Sequence, residues 1–139
     1  MVIENLELSF DEKDELFRAL TSRAKDFEEF SKRFEDNKTS QKLFLDNAKR
    51  VRSVIDKLEL TDTMVIAKVK LSFAEEIELV EALKSILSDY EDLIKNGSFR
   101  ILDPKIFLDN ANTIKKVMCK FSIKYWYGGF IWNFMKKKK

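Results

Sequence analysis

The sequence predicts an α+β, helix-dominated domain of order βααβααβ. It places a small antiparallel sheet against two helical hairpins about a pseudo-twofold axis. Three observations lead there. Residues 1–63 align with residues 64–126 at a constant offset of 63 without a gap, and 23 of the 63 pairs are identical. Such a repeat fixes the architecture before any local reading and supplies a second copy for checking each one. Each copy opens on a short alternating segment and continues as two stretches with apolar residues three and four apart. One Pro and three Gly in 139 residues leave little room for loops. A single domain, 1–139, is therefore expected, made of repeat one (1–63), repeat two (64–126) and a C-terminal strand with a basic tail (127–139).

The first segment of each copy reads as a strand. Val2–Leu8 alternates as Ile3, Leu6 and Leu8 among polar residues, after Val2. In Val65–Leu71 a strict alternation puts Val65, Ala67, Val69 and Leu71 on one face and Lys68 and Lys70 on the other. Both strands end at the same signature, Ser9-Phe10-Asp11-Glu12 and Ser72-Phe73-Ala74-Glu75. In this S-x-x-E capping box the Ser hydroxyl and the Glu carboxylate each accept an amide that the first helical turn leaves unpaired. Further acids in those turns suit the positive end of the helix dipole.

The long helix that follows carries the stripe Leu16, Leu20, Ala24, Phe27, Phe30 and Phe34 in copy one. In copy two the stripe is Leu79, Leu83, Leu87, Tyr90 and Leu93 or Ile94. Asn96-Gly97 stops the second of these helices. Phe34 stands where that Gly falls, so the first helix is expected to run a turn longer. After a loop of about five residues, the second helix starts at Ser40 in one copy and at Asp103-Pro104 in the other, both with good N-cap residues. Its stripe is Phe44, Ala48, Val51, Ile55 and Leu58, matched by Phe107, Ala111, Ile114, Met118 and Phe121. Continuing the offset once more puts a third strand at Gly128–Phe134, where Phe130, Trp132 and Phe134 alternate. A hairpin turned at Gly128-Gly129, or a continued helix, are the rival readings.

Composition narrows the chemistry. There is no His and one Cys, Cys119. This removes zinc sites of ordinary ligation and the His-activated nucleophiles. No Gly-rich phosphate loop or cofactor motif is present, so neither catalysis, a metal nor a cofactor is expected. Net charge is only +2, which gives no strong global field toward an anionic partner. The N-terminus lacks the pattern of a signal peptide, and together with the single cysteine this points to a reducing, cytoplasmic setting. The longest apolar run, Tyr125–Met135, is 11 residues, too short for a bilayer, which takes about 20.

The charge is nonetheless segregated. Residues 104–139 carry nine Lys and one acid, Asp109. The candidate contact surface is therefore the aromatic, basic C-terminus: Tyr125, Trp126, Tyr127, Trp132, Lys136, Lys137, Lys138 and Lys139. Aromatic side chains of this kind form hot spots with a protein partner, stack on single-stranded bases or, beside a polybasic cluster, meet an anionic membrane. The bland alternative is a third core strand with a solvated tail. The duplicated Phe-Leu-Asp-Asn-Ala string at 44–48 and 107–111 puts Asp46 and Asp109 on the solvent side of their helices. Packing by its other residues is favoured over a carboxylate site. Cys119 reads as an ordinary semi-buried thiol. The acidic first turns read as caps, with a nucleic-acid-mimicking face as the alternative.

The expected function is a small non-enzymatic protein-binding module, a regulator or inhibitor that occupies a partner protein. The Lys-, Phe-, Asn- and Ile-rich composition hints at an AT-rich genome, bacterial or phage, and a phage or mobile-element origin is expected. A nucleic-acid-binding protein using the C-terminal segment is the alternative, and a peripheral membrane protein the second.

Overall fold

The computed structural model describes residues 1–60, 65–96 and 103–121. Within them lie two strands and four helices in the order β1 (Val2–Glu7), α1 (Phe10–Arg33), α2 (Lys38–Leu58), β2 (Val65–Lys70), α3 (Phe73–Asn96) and α4 (Pro104–Lys120). The fold is α+β and helix-dominated. The expected third strand, the rival hairpin and the basic tail lie outside the described residues.

The strands pair antiparallel, with Val2 opposite Lys70, Ile3 opposite Val69, Leu6 opposite Ile66 and Glu7 opposite Val65. This register is self-complementary. Moving each residue of the Val2–Lys70 pair to its counterpart 63 positions away gives the Val65–Glu7 pair, and Ile3–Val69 likewise gives Ile66–Leu6. The chain closes the ribbon at one end, where Leu71 N donates to Met1 O at 2.8 Å and the terminal ammonium donates to Leu71 O at 3.1 Å.

The strict alternation expected for β2 is corrected. Ile66 is the buried residue, at 3 % exposure, while Val65 is 47 % exposed and Ala67 is also exposed. In both strands the inward positions are spaced three and then two: Ile3, Leu6, Leu8 and Ile66, Val69, Leu71. A regular pleat cannot place residues three apart on one face. In β1 the change of parity falls at Asn5, whose φ of 50° is left-handed. Asn tolerates that region better than most side chains.

Both capping boxes form. Glu12 N donates to Ser9 Oγ at 3.1 Å and Ser9 N to Glu12 Oε1 at 2.8 Å. The second box matches, with 3.2 Å from Glu75 N to Ser72 Oγ and 2.9 Å from Ser72 N to Glu75 Oε1. Each box starts a helix of 24 residues. The extra turn expected of the first helix is absent, because Phe34 is itself the C-cap. Its ring stacks on Phe44 at 5.3 Å, and Phe27 and Phe30 contact the same ring at 6.4 and 5.6 Å. This aromatic cluster closes the α1–α2 hairpin.

The start of α2 is also corrected. Asn37, not Ser40, is the N-cap, accepting from Ser40 N at 3.1 Å. Asn is as good a cap as Ser, and using it lengthens the helix by most of a turn. Asp103 caps α4 as expected, accepting from Lys105 N at 3.0 Å with Pro104 in the first turn.

Helix α1 packs along α2, and α3 along α4. The two hairpins meet through α1 with α3 and α4, and through α2 with α3. One core runs through both hairpins, with Leu16, Leu20, Leu79, Leu83, Val51, Val54, Ile114 and Val117 at 0 % exposure. Val54 and Val117 lie beside the predicted stripes and extend them. Phe30, Phe34 and Leu93, which end the α1 and α3 stripes, are 38, 42 and 38 % exposed. Among the described residues, no helix is long and apolar enough to cross a membrane.

Candidate functional site

The eight residues nominated from the sequence, Tyr125, Trp126, Tyr127, Trp132 and Lys136 to Lys139, lie outside the described residues. The structure instead brings together side chains that periodicity alone assigns to the surface.

Four glutamates are buried, Glu12, Glu15, Glu75 and Glu78, at 4–6 % exposure. They lie on the core side of α1 and α3, because each stands four residues before a buried Leu or Ala (Leu16, Ala19, Leu79, Ala82). Every one is met by a donor from the other half of the chain. Lys57 Nζ reaches Glu75 Oε1 at 2.7 Å, and Lys120 Nζ reaches Glu12 Oε1 at 2.7 Å. Lys57 and Lys120 are themselves 63 positions apart. Arg23 Nε donates to Glu78 Oε2 at 3.0 Å, and the Tyr90 hydroxyl donates to Glu15 Oε2 at 2.6 Å. Burying a carboxylate is costly without such partners, so these contacts tie the two hairpins together.

The electrostatics follow from the partners. Burial by itself raises the pKa of Glu75. The Lys57 ammonium, the Ser72 amide and the hydroxyls of Ser53 and Ser72 outweigh it and hold the carboxyl at about 2. Burial likewise opposes ionisation of Glu12, but Lys120 and Ser9 bring its pKa below the ordinary value. Burial, and then the bond to the Glu15 carboxylate, push the Tyr90 phenol up.

The surroundings of Glu12 and Glu75 differ at one bond. Ser53 Oγ donates to Glu75 Oε2 at 2.9 Å, whereas Glu12 Oε2 is buried with no hydrogen-bond partner. The residue 63 positions after Ser53 is Lys116, which is exposed on α4. A buried acceptor without a donor costs roughly 1–3 kcal/mol. Lys116→Ser is therefore expected to raise stability by about 1 kcal/mol, read as a higher urea midpoint at unchanged slope. An unchanged midpoint would show that the introduced hydroxyl does not reach Glu12.

A second feature is a groove of about 230 Å³ between α1 and α3. Its walls include Ala19, Ser22 and Asp26 on one side and Ala82, Ser85 and Asp89 on the other. The three residues on each wall are the same types, 63 positions apart. Desolvation by the walls, then the charges of Asp92 and Asp26, raise the pKa of Asp89 although its side chain still meets solvent. Arg23 also lines the groove, but its guanidinium is held by Glu78. The paired carboxylates and hydroxyls form an acidic strip, and Phe27, Phe30 and Ile86 complete the lining.

Apolar side chains are exposed in matching positions as well: Val2 and Val65, Phe10 and Phe73, Phe30 and Leu93, Leu43 and Ile106, Leu45 and Leu108. Phe10 and Phe73 are the most exposed, at 66 and 77 %. Each opens a long helix directly after its capping Ser, where the first turn turns its side chain away from the core.

Asp46 and Asp109 are both exposed. Among the described residues, no group of three or more His, Cys, Asp or Glu is placed to hold a metal ion. Cys119, expected to be semi-buried, is exposed. It sits one position outside the buried pair Val117 and Met118, in a groove with Lys115, Lys116 and Lys120. No protein-family model matches the chain, and neither a curated protein nor a solved structure matches it.

Proposed function

We propose that the protein is a small non-enzymatic protein-binding module, a regulator or inhibitor that acts by occupying a partner. We also propose that it is built as two fused copies of one βαα unit, related by a pseudo-twofold axis, so that each contact element is presented twice. Supporting the fused pair are the self-complementary strand register and the exchanged bonds Lys57–Glu75 and Lys120–Glu12. An isologous contact has this form, with residue i meeting j and j meeting i.

The observation that carries the binding reading is the exposure of Phe10 and Phe73. A singly exposed apolar residue is ordinary. Among the described residues the same aromatic is exposed at the same place in both halves, with the Lys13 ammonium 6.0 Å over the Phe10 ring. Aromatics are enriched in the centres of protein interfaces. The acidic strip between α1 and α3 suits basic side chains of the same partner.

The test is affinity capture from cells of the native host, with the wild type and the F10S/F73S variant side by side. Both substitutions fall on exposed positions, so stability should change by less than about 0.5 kcal/mol. A protein held stoichiometrically by the wild type and lost by the variant supports the reading. Identical captured proteins in the two experiments would overturn it. Nucleic acid is the alternative, resting on the basic C-terminal segment. On the described surface, Arg23, Arg52, Lys57 and Lys120 are engaged with carboxylates.

A further inference from the structure

A groove of about 640 Å³ lies between the start of α1 and the last turns of α4. Asp11 and Glu12 line it from α1, and Lys115, Lys116, Cys119 and Lys120 line it from α4. Among the described residues Cys119 is exposed. Lys116 and Lys115 stand three and four residues before it, so the three side chains share one face of the helix.

The same groove holds an unmet acceptor. Glu12 is 5 % exposed and its Oε2 has no hydrogen-bond partner, while Lys120 occupies Oε1 at 2.7 Å. The bonds on α2 show where the missing donor belongs. There Lys57 holds one oxygen of Glu75 at 2.7 Å, and Ser53, four residues earlier, holds the other at 2.9 Å. On α4 the residue four before Lys120 is Lys116, whose side chain is exposed in the groove. The open oxygen of Glu12 therefore lies toward the Lys116 side of the groove, within one helical turn of the Cys119 thiol. A ligand that fits these groups carries an N–H donor for Glu12 and carboxylates for Lys115 and Lys116.

We propose that Cys119 is a site of reversible mixed-disulfide formation with a small peptide-like disulfide whose halves bear carboxylates, amide N–H groups and an ammonium. The carboxylates meet Lys115 and Lys116, an N–H donates to Glu12 Oε2, and the ammonium meets Asp11. The Cys119 thiolate attacks the nearer sulfur of the disulfide, and the new Sγ–S bond forms as the old S–S bond breaks. The leaving half departs as a thiolate and takes up the proton that Cys119 released. The protein thiol is oxidised and the leaving half is reduced, with no other oxidant. A free small thiol reverses the step.

The full-length protein has no other cysteine, so its intact mass reads the reaction directly. Three disulfides are compared: oxidised glutathione, with carboxylates and N–H donors, dithiodipropionate, with carboxylates alone, and cystamine, with ammonium groups alone. Each rate is divided by that of N-acetylcysteinamide with the same reagent, which cancels the reagents' intrinsic reactivity. On this scale oxidised glutathione should exceed cystamine by about tenfold at low salt, as two surface ion pairs allow. It should exceed dithiodipropionate by about threefold, the worth of a modest hydrogen bond. K115Q/K116Q, with its helical circular dichroism unchanged, should erase the preference over cystamine. Equal scaled rates for oxidised glutathione and cystamine, or a preference that K115Q/K116Q leaves intact, would overturn the proposal. So would dithiodipropionate reacting as fast as oxidised glutathione, since no donor would then reach Glu12.

Discussion

Glu75→Gln should lower stability at pH 7 by about 2–3 kcal/mol and flatten the acid limb of the stability profile. Two neutral donors and one ammonium converge on this carboxylate, which is 6 % exposed. Its folded pKa, about 2 against an ordinary 4.5, is depressed. The stabilisation it supplies is therefore complete above about pH 4.5 and lost as the pH falls toward 2. The full shift sets an upper bound of about 3 kcal/mol. The Lys57 end of the pair is 44 % exposed, so the released ammonium returns to water and the loss stays near that bound rather than exceeding it. Glutamine keeps an acceptor for the Ser72 amide and removes the charge. Glu12→Gln should cost less, because Glu12 lacks the bond that Ser53 gives to Glu75. Urea titrations from pH 2.5 to 7 on the wild type and both variants measure this. Parallel acid limbs in wild type and E75Q would show that Glu75 is not the group whose protonation loosens the fold.

These four carboxylates also mark the limit of what the chain discloses as a string. The strands, both capping boxes, the four helices and the Asp103-Pro104 start are all set by interactions within a few residues, and those are legible. Glu15 and Glu78 are not, because their partners Tyr90 and Arg23 are 75 and 55 residues away. A carboxylate also enters any periodicity as a polar, outward position. A signal was nonetheless present: Glu12, Glu15, Leu16, Ala19 and Leu20 share one helix face, and all five recur unchanged 63 residues later. Reading that face as core with internal ion partners would have located the site. The parity change at Asn5 was hidden for a different reason. Val65, Ala67, Val69 and Leu71 alternate correctly for a flat strand, and only burying Ile66 in place of the smaller Ala67 breaks the pattern. The choice of Asn37 over Ser40 reflects two adequate caps three residues apart, between which local preference does not decide. The groove between α1 and α3 depends on how two helices cross, which no spacing within one helix conveys.

The fused-pair reading has its sharpest consequence in the core. Leu20 and Leu83 are both fully buried, at 0 % exposure, 63 positions apart on α1 and α3. Leu20→Ala and Leu83→Ala should each cost about 3–4 kcal/mol, the sum of lost transfer energy and the cavity left behind. What the reading adds is agreement between them. The cost of a cavity varies by about a factor of two with how far the surroundings collapse. Two leucines in unrelated surroundings have no reason to match, whereas two in equivalent surroundings should agree within about 1 kcal/mol. The double variant, at about 6–8 kcal/mol, should lose a large part of the roughly 5–15 kcal/mol that a domain of this size holds. Leu45→Ala and Leu108→Ala are the controls. They lie 40 and 49 % exposed and should each cost no more than about 0.5 kcal/mol. Urea midpoints for the five variants decide the matter. If one core substitution costs under about 1 kcal/mol while the other costs over 3, the halves do not surround their leucines alike, and the pseudo-twofold reading fails at the place where it should be strongest.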